Sequence, residues 1–186
     1  MFHYDYFLFF IYFKRQGARG IHVAAQKGHV GVIHAIIARG ENVNTMTNHK
    51  YTALHMAVEA GNPEVVECLL GHGANVHIRG GERSESPLHI ACRMAGARDE
   101  KCAKMLLKSG ADPNFPMLQG GDTPLHVAAA AQANAAVRIL KLLLENGADI
   151  GKLNSNGESA LHTAVKTCNF KASKVSRSWN FLQIPT

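Results

Sequence analysis

Paired cysteines, glycosylation acceptors, membrane-length apolar runs and catalytic signatures are all missing from this 186-residue chain, and each absence closes a class of function. Cys68, Cys92, Cys102 and Cys168 form no C-x-x-C pair, and three of them fall in predicted helices beside apolar residues, which reads as free buried thiols in a reducing compartment. There is no Asn-x-Ser/Thr acceptor, consistent with a cytoplasmic address. The apolar stretch Tyr6–Phe13 falls far short of the roughly 20 residues that cross a bilayer, so no transmembrane span is expected. G-x-S-x-G, H-E-x-x-H, the EF-hand loop and the phosphate loop are absent. Gly71-His72-Gly73 opens like a dinucleotide fingerprint, but Val76 stands at the third glycine and the segment follows a helix, so a helix stop explains it better. No catalytic residue and no cofactor are therefore expected.

Charge excludes a further class. The formal net charge is +6, but residues 21–158 balance thirteen basic against thirteen acidic groups, and the excess lies at the two ends. A nucleic-acid binder needs a basic stripe on its working face, so no nucleic-acid partner is expected.

What is present is a period. A Leu/Ile-His-x-Ala tetrad recurs at Ile21-His22, Leu54-His55, Leu88-His89, Leu125-His126 and Leu161-His162, its histidines 33, 34, 37 and 36 residues apart. Each of the first four copies ends in an apolar pair and a glycine: Ile36-Ile37 with Gly40, Leu69-Leu70 with Gly73, Leu106-Leu107 with Gly110, Leu143-Leu144 with Gly147. A period near 33 means a solenoid, whose stacked units work through an extended surface. Thr52, Ser86, Thr123 and Ser159 carry oxygens that can cap a helix, Pro87 and Pro124 preset its first turn, and the later glycine supplies a left-handed stop.

Thr123-Pro124-Leu125-His126-Val127-Ala128 and Ser86-Pro87-Leu88-His89-Ile90-Ala91 resemble the signature hexad of the ankyrin repeat. The resemblance implies an all-α solenoid of stacked helix-turn-helix units with projecting hairpin fingers. It divides the chain into an aromatic leader (1–15), a repeat domain (16–171) and a polar tail (172–186); the repeats run 16–48, 49–82, 83–119 and 120–155, with a partial fifth over 156–171. Copies one, two and five depart from the hexad, with Arg19-Gly20, Thr52-Ala53 and Ser159-Ala160 at its Thr-Pro site, and the first is the weakest. Copies three and four carry three extra residues, within Arg98–Lys101 and Ala129–Ala136, read as longer inter-helix turns or an extra helical turn. Over residues 19–171, segments such as Arg19–Val30, Asn75–Gly81 and Met105–Asn114 are also similar to the cytoplasmic ankyrin array of TRPN-type mechanosensory channels. That likeness implies a spring that contacts microtubules and channel neighbours, membrane-associated within a full-length channel.

The family's hairpin tips and outward first-helix positions map here onto Tyr51, Met56 and Glu59, then Glu85, Ile90 and Arg93, then Phe115, Met117, Leu118, Asp122 and Val127. These are the partner-binding candidates, on a concave or finger face. The largely apolar loop Phe115-Pro116-Met117-Leu118 marks either a partner contact or packing between fingers. The repeat histidines His22, His55, His89, His126 and His162 are assigned a structural role, bridging neighbouring hairpins, and no metal is assigned. His29 and His34 lie on different helix faces, while His72 and His77 flank a turn without a third ligand.

The reading is a protein-interaction scaffold without chemistry of its own, a fragment of a TRPN-type channel's cytoplasmic array. A free-standing soluble adaptor and the regulatory repeats of an enzyme are its alternatives. The leader holds eight of the thirteen aromatics and is read as a cap on the first repeat or a membrane-surface anchor. A third view takes both ends as translated intron, since Lys174-Val175-Ser176 is what a splice donor would encode.

Overall fold

A computed structural model describes residues 17–131, 136–167 and 169. The aromatic leader, Cys168, the polar tail with Lys174-Val175-Ser176, and the turn at 132–135 lie outside the described residues. Among the described residues there are nine helices: α1 Gly20–Lys27, α2 Val30–Ala38, α3 Ala53–Glu59, α4 Pro63–Gly71, α5 Pro87–Met94, α6 Ala97–Lys108, α7 Pro124–Ala130, α8 Ala136–Glu145 and α9 Ala160–Lys166. The described residues form no strand beyond one isolated bridge, Gly80 with Glu85.

The odd-numbered helices start where the sequence places a short polar side chain. Thr52, Ser86, Thr123 and Ser159 hold extended backbone just before α3, α5, α7 and α9, with Pro87 and Pro124 at the first helical positions. Arg19, with no hydroxyl to offer, stands at that site before α1. At the far ends of the second helices the periodic glycine turns the chain in a left-handed conformation, as at Gly73 (φ 79°) and Gly110 (φ 85°), where any other residue is strained. The extra residues of the third unit become an added turn of helix: α6 spans 12 residues against nine in α2 and α4.

Each first helix packs on its second helix, and like stacks on like, α1–α3–α5–α7–α9 in one layer and α2–α4–α6–α8 in the other. One continuous core runs between the layers through Ile21, Ile33, Leu54, Leu69, Leu88, Leu106, Leu125, Ile139, Leu140 and Leu143. No unit buries its apolar face alone, so the core exists only in the stack. Leu161 is only half-buried, because in α9 the burial falls on Ala160 and Ala164.

Polar side chains lace the units together. Asn62 donates to the carbonyls of Ala25 (3.1 Å) and Gln26 (3.0 Å) at the end of α1, and Asn169 does the same to Ala129 (3.1 Å) and Ala131 (2.8 Å) at the end of α7. Asn44, His77 and Asn114 each accept the backbone N–H of the following unit, from Asn75 (2.8 Å), Asp112 (3.1 Å) and Asp149 (2.7 Å). No helix among the described residues is long and apolar enough to cross a membrane.

Candidate functional site

Between each pair of helix layers and the next finger sits one buried imidazole. The Nδ1 atoms of His22, His55, His89 and His126 accept the backbone N–H of their own helix cap, from Arg19 (3.0 Å), Thr52 (3.1 Å), Ser86 (3.2 Å) and Thr123 (3.3 Å). An N–H can only donate, so Nδ1 carries no proton and Nε2 does. Each Nε2 then donates to a carbonyl of the next finger: Thr45 (2.9 Å), Glu85 (3.2 Å), Asp122 (3.2 Å) and Glu158 (2.9 Å). Burial pulls His22 below the usual imidazole range and takes His55 and His89 down to about 4. His162 keeps the cap contact with Ser159 (3.1 Å), but its ring is exposed.

These pairs also bear on catalysis. Ser86 Oγ lies 2.7 Å from His89 Nδ1, the spacing of a nucleophile and its base. Yet both side chains are buried, the far nitrogen is held by a neutral carbonyl, and the imidazole resists protonation. The Ser86–His89 pair is a helix fastening.

Two hollows open beside the first helices and the finger loops. A groove of about 400 Å³ is lined by Arg83, Glu85, Arg93, Met117, Asp122 and Val127 among others, and reaches Thr163 of α9. A second hollow of about 400 Å³ adjoins it through Arg83, Glu85 and Arg93 and extends to His49, Tyr51 and Glu82. Arg93 is the crosspiece, donating to Glu85 (3.0 Å) in its own unit and to Glu59 (3.5 Å) of α3. Burial, with the Glu59 and Glu85 carboxylates nearby, pushes the Tyr51 phenol up.

The candidate surface residues separate on this geometry. Tyr51, Arg93, Met117, Asp122 and Val127 line the joined hollows, Glu59 stands exposed beside them, and Glu85 contributes while itself only 3% exposed. Ile90 is 0% exposed and Met56 8%, so these two leave the proposed surface and belong to the core. The Phe115–Leu118 loop splits. The Arg79 guanidinium lies 4.0 Å over the Phe115 ring and donates to the Pro116 carbonyl (2.9 Å), so that half packs on the preceding finger. Leu118 is 75% exposed and projects beyond it.

Arg83, absent from the sequence-based candidates, sits where the two hollows meet. Its position on a finger tip three residues ahead of the Ser86–Ala91 hexad is the signal that could have found it. A second group was missed for a different reason. His34, Cys68 and His72, set aside by spacing, are gathered on the outer face by the stacking of α2 on α4. Cys92 and Cys102 are buried free thiols, and burial pushes Cys102 up to about 12.

Comparison with protein families matches residues 21–117 to a model described as ankyrin repeats (3 copies) and residues 129–175 to one described as ankyrin repeats (many copies). No curated protein matches the chain.

Proposed function

Because this chain belongs to the ankyrin-repeat family, we propose that it is a protein-interaction scaffold holding an extended segment of a partner protein in its concave groove. The observation that carries this reading is the pair of adjoining hollows, in which apolar Met117 and Val127 stand beside the charges of Arg83, Arg93 and Asp122. Such a lining suits a segment that sets one apolar side chain against Met117 and Val127 and an acidic group near Arg83. Glu85 is neutralised in place by Arg93, so it shapes the wall instead of repelling an acidic ligand. The work is non-catalytic, and the setting is the cytoplasm.

Affinity capture from the native cell tests this, comparing the unaltered chain with Arg83→Glu and Val127→Asp and with Lys104→Glu on the outer face of α6. A partner retained by the Lys104 variant and lost by the two groove variants supports the groove. Equal capture by all three overturns it.

The finer reading, a stretch of the cytoplasmic array of a TRPN-type channel with microtubules and channel neighbours as contacts, draws its support from the likeness of residues 19–171. Transcripts running from these repeats into many more and then into membrane spans would support it. Transcripts ending in a short soluble product would favour the free-standing adaptor, which uses the same groove.

A further inference from the structure

We propose that His34, Cys68 and His72 form a zinc site that clips the second helices of the first two repeats together on the face opposite the groove. One donor atom from each side chain lies within 4.8 Å of the other two. Cys68 Sγ is 3.6 Å from His34 Nε2 and 3.9 Å from His72 Nδ1. With zinc–sulfur bonds of about 2.3 Å and zinc–nitrogen bonds of about 2.05 Å, a tetrahedron has sulfur–nitrogen edges of about 3.5 Å and nitrogen–nitrogen edges of about 3.3 Å. The Cys68–His34 separation is therefore already that edge. The remaining closure falls to His34 and His72, both exposed, and requires the His72 ring to turn away from the Cys68 carbonyl.

The backbone supports the same reading. Cys68 and His72 are four residues apart across the end of α4, so they share one helix face. His72 Nδ1 donates to the Cys68 carbonyl (2.8 Å), which keeps that ring beside the thiol; to bind zinc the ring gives up this bond and carries its proton on Nε2 instead, leaving Nδ1 free as the ligand. The His34 ring meets the His72 ring edge-on, with centroids 5.0 Å apart. Two imidazoles and one sulfur form a borderline-soft donor set that suits zinc over magnesium or calcium. Cys68 is a free thiol, so metal entry carries a proton step: the S–H bond breaks, a zinc–sulfur bond forms, and the proton leaves to solvent. Water takes the fourth position, since the cluster opens outward.

The location gives the clip a purpose. It joins α2 to α4, fastening the first repeat, whose helix α1 begins at Arg19 where α3, α5, α7 and α9 begin at a Thr or Ser. Metal bound only by the docked state stabilises that docking.

The test uses the full chain, stripped with a chelator and titrated with Zn²⁺ against a colorimetric competitor, and in parallel with Co²⁺ followed by absorption. One equivalent of Zn²⁺, a higher thermal midpoint and a thiolate-to-cobalt charge-transfer band are expected. Cys68→Ser should abolish the band, and Cys68→Ser, His34→Ala and His72→Ala should each weaken Zn²⁺ binding at least tenfold, while His29→Ala, exposed in the same repeat, should leave it unchanged. Circular dichroism and amide exchange in α6 and α7 verify that each variant is folded. Absence of stoichiometric binding, binding that survives Cys68→Ser, or equal loss in His29→Ala would overturn the site.

Discussion

The imidazole of His89 has a partner on every polar atom and no room for a second proton. Its Nδ1 accepts from the Ser86 N–H (3.2 Å) and its Nε2 donates to the Asp122 carbonyl (3.2 Å). His89→Ala leaves those buried groups orphaned and should cost about 2–3 kcal/mol, measured by urea unfolding. His162→Ala, where the ring is exposed, should cost less than about 1 kcal/mol. Equal costs would mean that the bridge to the next finger contributes nothing. Titration follows from the same burial. His55 and His89 are held at about 4, whereas a histidine in the unfolded chain titrates near 6.5. Above that range both states are neutral and the stability is fully present. As pH falls from about 6.5 to about 4 only the unfolded chain takes up these protons, so stability drops across that window, by roughly 3 kcal/mol per histidine, and this contribution levels off below it. Urea midpoints at pH 7, 5.5 and 4.5 check this; midpoints that did not move would show that the rings are not buried and neutral.

At the scale of elements, the third finger divides into an anchored half and a free half. Phe115 lies beneath the Arg79 guanidinium at 4.0 Å, and Pro116 accepts from the same group. Phe115→Ala should therefore lower stability by about 1–2 kcal/mol, through lost packing and cation–π attraction. Leu118→Asp, at a position 75% exposed, should stay within about 0.5 kcal/mol. Thermal unfolding of the two variants side by side decides this, and a large loss for Leu118→Asp would place that side chain in a packed interface. The added turn of α6 shows the same dependence on local detail: the three extra residues propagate the helix because Asp99 accepts the Gly96 N–H (2.8 Å) and reinforces its start.

Across the whole molecule, stability is nearest-neighbour in form, each unit being held by its interfaces with the units beside it. Repeats two to four have a neighbour on both sides. Helix α9 packs on α7 through Ala160 and Ala164, yet leaves Val165 exposed and Leu161 half-covered. Native-state hydrogen exchange should find amides of Leu161–Lys166 exchanging faster than those of Leu125–Ala129, with the Asn169 bridge to Ala129 and Ala131 slowing the end of the helix. If the two sets exchanged equally slowly, α9 would have to be covered by further structure. If zinc binds at His34, Cys68 and His72, the protection of α1 and α2 should rise toward that of the central repeats.

The architecture was legible because it rests on local rules repeated in register. A hydroxyl, often a proline, the Leu-His pair, an apolar pair and a glycine each act within a few residues of themselves, so their period announced the all-α stack before any contact was known. The surface was less legible. Whether Ile90 faces a partner or the core depends on how closely neighbouring first helices approach, and whether Phe115 is free depends on an arginine 36 positions earlier. The groove of Arg83, Arg93 and Val127, and the cluster of His34 with Cys68 and His72, are assembled from separate repeats. Their side chains meet only because stacking brings residues more than 30 positions apart within bonding distance, a relation set by the rise and rotation of one unit on the next and not by any spacing along the chain.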